Sequence, residues 1–81
     1  MYQTINEQII IAGVYQTHKF IPKKFKWGEK TYLVDEITLS SDFKDGGVRK
    51  RAYSVVSNGN VFRLEFNRET EGWWLREIWV E

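Results

Sequence analysis

The sequence has no cysteine and only a single proline, a single histidine and a single methionine among its 81 residues. Without thiols there is no disulfide, iron–sulfur cluster, thiolate-bound zinc or cysteine nucleophile. Secreted domains this small rely on disulfides, so the reading is a reducing cytoplasm. One histidine cannot supply a zinc ligand set. As the only imidazole, His18 has no nucleophile elbow around any serine to serve, and it reads as a solvated side chain in a basic connection. The longest apolar run, Ile9 to Tyr15, is too short to span a bilayer. Only Glu7 is charged ahead of it, with no basic stretch, so it reads as a poor signal peptide. Phosphate-binding glycine motifs are absent. Asp42 to Gly47 lacks the alternating oxygen ligands and distal glutamate of a calcium loop. Asp35 and Glu36, adjacent in sequence, point to opposite faces of a strand and make a poor acid–base pair. No catalytic residue, metal or cofactor is expected, and the chain reads as a non-enzyme.

Aromatic residues are plentiful, at 16% with four Trp, four Tyr and five Phe. Large rings build a core efficiently in a short chain. Helical periodicity is weak, while β-branched and aromatic runs recur between Gly- and Asn-containing turns. Asn58-Gly59 suits a two-residue type I′ turn. Taken literally, that turn pairs Val55 with Phe62 and Tyr53 with Leu64 on one face, and Ala52 with Glu65 on the other. Pairing Phe66 with Trp73 then continues the inner face through Leu75. It sets Trp74 beside Glu65 outside, and Ile78 beside Val61 and Val56 in an apolar stripe on the reverse face.

Further upstream, Thr31 to Leu39 reads as one strand with a bulge at Asp35-Glu36 that gathers Tyr32, Val34, Ile37 and Leu39 on one face. Ile9 to Tyr15 reads as a first strand, and Phe25 to Trp27 as a short one. Pro22 falls in a connection, and Ser40 to Lys50 reads as the longest and most mobile loop. The expectation is a single all-β domain over 1–81. Its form is a small antiparallel curled sheet or SH3/OB-like barrel of five to six strands, with a hairpin turn at Asn58-Gly59.

Pro22-x-x-Phe25-x-Trp27, Tyr32-x-Val34 and the terminal Trp73-Trp74-Leu75-x-x-Ile78-Trp79 resemble a family of small uncharacterised bacterial all-β proteins, a domain of unknown function. Gly28 follows Trp27 directly, one place earlier than the family's glycine. The resemblance implies no established activity. Some members are encoded near DNA-repair or translesion-polymerase genes, which implies a nucleic-acid setting by association.

Net charge is only +1, but the charges are unevenly placed. Lys23, Lys24, Lys26 and Lys30 form one basic stretch and Arg49, Lys50 and Arg51 another, while the chain turns acidic from Glu65 onward. Two binding readings follow. In the leading one, an exposed aromatic patch drives protein–protein interaction or self-association, with Trp74, Trp79 and Trp27 as the surface rings. In the alternative, Lys23, Lys24, Lys26, Lys30, Arg49, Lys50, Arg51 and Arg63 track the phosphates of single-stranded nucleic acid while the tryptophans stack bases. Tyr32, Tyr53, Phe62, Phe66 and Trp73 are assigned to the core, and Trp27 competes for a place there. No membrane or metal partner is expected.

Overall fold

The computed structural model describes residues 1–80. Asn58 and Gly59 have φ of 52° and 82°, the left-handed values a type I′ turn demands. The hairpin they close pairs Val55 with Phe62, Tyr53 with Leu64 and Ala52 with Glu65, in the register the turn predicts. Two other turns use the same geometry, Gly46-Gly47 and Thr17-His18. The strands are β1 (Tyr2–Gln16), β2 (Lys19–Trp27), β3 (Lys30–Leu33), β4 (Glu36–Asp45), β5 (Val48–Ser57), β6 (Asn60–Asn67) and β7 (Trp73–Trp79). They form one sheet in the order β3-β2-β1-β7-β6-β5-β4, with every neighbouring pair antiparallel.

The sheet must curl because β3 and β4 are consecutive in the chain yet lie at opposite edges. Only Val34 and Asp35 join them. The Val34 N–H donates to the Lys23 carbonyl on β2 at 2.9 Å, and the Asp35 N–H donates to the Val56 carbonyl on β5 at 2.8 Å. Those bonds draw the two edges toward each other without a ladder between β3 and β4. Register shifts after Thr4, Ala12, Ile37 and Arg63 add local bend and twist. The concave face holds the core of Ile9, Phe25, Tyr53, Val55, Phe62, Leu64, Leu75 and Ile78. Phe25 on β2 meets Phe62 on β6 at 5.2 Å, and Tyr32 stacks on Phe25 at 5.0 Å. Rings on strands so far apart in the order can touch only across a concavity. Burying each such side chain contributes roughly 1.5–3 kcal/mol.

Several expectations need correction. There are seven strands rather than five to six, and the sheet stays open rather than closing into a barrel. The first strand, expected over Ile9 to Tyr15, is longer and runs from Tyr2 to Gln16 as β1, held inside the sheet between β2 and β7. Ser40 to Lys50 is a hairpin turning at Gly46-Gly47, not a loop. Pro22 is buried within β2, at the irregularity opposite Gly13, where the ladder is already interrupted. Thr31 to Leu39 is two strands, and a second irregularity at Thr38 turns Leu39 out to solvent. On β7 the extra residue is Arg76, which moves Ile78 from the reverse face into the core opposite Phe62.

Candidate functional site

On the convex face the registers align side chains into rows that run across strands. One row is Val56, Val61, Trp79 and Tyr2, on β5, β6, β7 and β1. Tyr2 and Trp79 are 52% and 49% exposed and meet edge to face at 6.0 Å. The next row brings Ser54, Arg63, Glu77 and Thr4 together. A shallow hollow of about 260 Å³ lies between the two rows. A hydrogen bond to the Glu77 carboxylate raises the Tyr2 phenol above its ordinary pKa.

Trp74 lies in a third row beside Glu65, as the register predicts, but its face is covered. The Arg76 guanidinium sits 5.0 Å from the ring centroid. Arg76 Nε donates to Glu65 Oε1 at 3.2 Å and Nη1 donates to Asn6 Oδ1 at 3.2 Å. Lys50 Nζ is 3.2 Å from the same Glu65 oxygen and 3.0 Å from Asp45 Oδ2. The hydrogen bonds Lys50 donates, first to Asp45 and then to Glu65, raise its pKa. Trp27 is half-buried on the concave side, with its indole N–H donating to Glu7 Oε1 at 3.1 Å.

The two basic stretches are not merged. Lys24 and Lys26 project from the convex side of β2 opposite Ala12 and Ile10, and Lys23 is the extra residue of the β2 irregularity. Lys30 lies with its Nζ 5.2 Å from the Tyr32 ring centroid. Arg49, Lys50 and Arg51 are on β5, separated from β2 by β1, β7 and β6. Arg49 and Arg63 are exposed. Arg51 is engaged: its Nε and Nη2 hold Asp42 at 2.7 and 3.1 Å, and Arg68 Nη2 adds a contact at 3.2 Å. Led by the Arg51 hydrogen bond, these cations lower the Asp42 carboxyl to about 2.

A second hollow, of about 160 Å³, opens at one end of the concave face. Its walls are the rings of Tyr15, Phe20, Tyr53, Phe66 and Trp73, and Arg51, Arg68 and His18 line it as well. Trp73 is central, 4.9 Å from Phe66, 5.4 Å from Tyr53 and 5.6 Å from Phe20. The β1–β2 hairpin delivers Tyr15, His18 and Phe20. The Arg68 N–H donates to the Arg49 carbonyl at 2.9 Å, which pins the β6–β7 loop against β5. Tyr53, Phe66 and Trp73, expected in the core, also line this hollow, together with Tyr15, Phe20 and Arg68, which no sequence motif marks. The local signal for Tyr15 and Phe20 is ring placement on both sides of a turn that contains neither Asn nor Gly.

Among the described residues no helix is long and apolar enough to cross a membrane, and no group of three or more His, Cys, Asp or Glu is arranged to hold a metal. Asp35 accepts the Asn58 backbone N–H at 3.0 Å, a structural role at the hairpin turn. Compared with protein-family models, curated proteins and solved structures, the chain matches none.

Proposed function

We propose that the protein is a non-catalytic interaction module that self-associates through the convex row of Tyr2, Trp79, Val61 and Val56. The carrying observation is that row: four apolar side chains in cross-strand register, with a half-exposed Tyr–Trp pair at one end. Exposed Tyr and Trp are among the side chains that dominate interface energetics. A second copy suits this face because the adjoining row carries both Arg63 and Glu77. A two-fold axis that puts Arg63 of one copy against Glu77 of the other makes that pair twice, so like charges need not meet. A stable interface takes roughly 800 Å² per partner, about a seventh of the 5580 Å² this chain exposes.

Sedimentation equilibrium from about 1 μM to about 1 mM, the range of weak self-association, tests the reading. The wild type is expected to dimerise. Trp79→Lys is expected to stay monomeric with its stability changed by less than about 1 kcal/mol, since the ring is half outside. A wild type that is monomeric throughout overturns the proposal.

One observation favours binding of single-stranded nucleic acid as a second reading. Lys23, Lys24, Lys26 and Lys30 are exposed along β2 and its turn, with no carboxylate at salt-bridge distance among the described residues. The bacterial family resemblance points the same way. This reading is the weaker one because Lys50 and Arg51 are already engaged with carboxylates and Trp27 is turned inward. Oligonucleotide affinity that falls steeply with salt would raise it above the first. Small SH3- and OB-like barrels offer an analogy of architecture alone. The lack of cysteine fits a reducing cytoplasm.

A further inference from the structure

We infer that the hollow at the open end of the concave face is a ligand site for a single flat ring carrying an anionic group. In this arrangement the ring lies among Phe20, Tyr53, Phe66 and Trp73, and the anion meets Arg68 and His18. This inference is independent of the convex row and of self-association.

Size sets the first limit. An engineered apolar cavity of roughly 150 Å³ takes one benzene ring, and this hollow has about 160 Å³. Its walls suit a flat ring, because aromatic side chains converge on it, with Trp73 5.6, 5.4 and 4.9 Å from Phe20, Tyr53 and Phe66.

Charge sets the second. Arg51, Arg68 and Asp42 together leave one positive charge at the rim. Arg51 meets Asp42 through two of its nitrogens, whereas Arg68 makes a single contact at 3.2 Å. The Arg68 fork therefore keeps most of its donors for an anion.

The β1–β2 turn is the third observation. Thr17 and His18 have φ of 47° and 68°, with no glycine at either position. A β-branched residue at such a φ is a steric outlier. The same molecule uses Asn58-Gly59, with φ of 52° and 82°, to make an equivalent turn without that strain. A strained turn that sets an imidazole in the lining of an aromatic hollow is the kind of local cost that accompanies function. Gly13 supports the arrangement from below: a Cβ there would come within 2.6 Å of Phe20 Cζ, so only glycine lets that ring settle into the wall.

The full chain is titrated with two ring-bearing anions, uridine 5′-monophosphate and indole-3-acetate, and with uridine, indole and inorganic phosphate. Binding is followed by amide chemical shifts. At least one ring-bearing anion is expected to bind with a dissociation constant of about 1 mM or tighter, shifting residues of the hollow. Whichever of the two binds identifies the source of the anion as phosphate or carboxylate. The matching neutral ring and phosphate alone are expected to bind at least about tenfold more weakly, the usual worth of one charge-assisted hydrogen bond. Arg68→Gln should remove that advantage without affecting the neutral ring. The double variant Thr17→Asn/His18→Gly, which copies the strain-free turn, should melt at a higher temperature yet bind the anion more weakly. Three results overturn the inference: no binding by either anion at tens of millimolar, neutral rings binding equally well, or shifts that map elsewhere.

Discussion

Glu65 keeps a carboxylate at 8% exposure on the convex face because two cations converge on it. Lys50 and Arg76 each approach Oε1, at 3.2 and 3.1 Å, from neighbouring strands. A charge in that setting would be costly alone, and removing it leaves Arg76 beside a half-buried indole without its carboxylate and Lys50 with only Asp45. Glu65→Gln, which keeps the shape and loses the charge, should therefore lower unfolding free energy by about 1–2 kcal/mol, read from urea melts at neutral pH. A change within about 0.5 kcal/mol would place the cluster with ordinary surface pairs. The neighbourhood of Glu65 is legible in the sequence: the turn chemistry at Asn58-Gly59 sets Ala52 on one side, and the pairing of Phe66 with Trp73 sets Trp74 on the other. Arg76 is not, because its place over Trp74 comes from an extra residue in β7. Arg76-Glu77, two polar residues in a row where strict alternation has one, is the only trace such an insertion leaves.

The limits of sequence reading are clearest among the strands. Asn58-Gly59 announces its hairpin, and alternation assigns the faces within it, whereas Gly46-Gly47 lies in a polar stretch that reads as a loop and is a hairpin. The irregularity at Thr38 leaves Ile37-Thr38-Leu39 looking like regular alternation, so the exposure of Leu39 had no signature. Pairing of β1 with β7 joins the two ends of the chain, Tyr2 to Trp79, and no short-range pattern selects so distant a partner. Gly13 was equally silent, since an isolated glycine in a strand says that something approaches closely without saying what. Here the Ile21 carbonyl and the Phe20 ring occupy the space a Cβ would need. Gly13→Ala should accordingly cost about 1–3 kcal/mol through forced shifts of β2, measured by thermal or urea melts. The amide shifts should change around Phe20 and Trp73 and not around the Asn58-Gly59 turn. A neutral substitution would mean that the two strands separate easily at their irregularity.

Across the molecule, one carboxylate joins the sheet's far edge to two other segments. Asp42 lies on edge strand β4, Arg51 on β5, and Arg68 on the loop that leads to β7, so a single ion cluster ties three segments together. Strand β4 has only β5 beside it. Its side chains are mostly exposed, so apolar burial alone gives it little hold. The Asp42 carboxyl is lowered from 3.8 to about 2, chiefly by the Arg51 hydrogen bond. A carboxylate with a depressed folded-state pKa contributes stability that is complete above the unfolded value and fades as the pH falls through the folded one. Loosening of β4 is thus expected between about pH 4 and pH 2, the two ends of that shift. Arg51 and Arg68 stay charged throughout and are left without their shared partner. Amide exchange along Phe43 to Asp45 should accelerate over this interval before exchange in β6 does. Asp42→Asn should show the faster β4 exchange already at neutral pH and should lose much of the acid dependence of stability. If wild type and variant respond identically to acid, another carboxylate governs the acid limb and the edge strand is held by its backbone ladder alone.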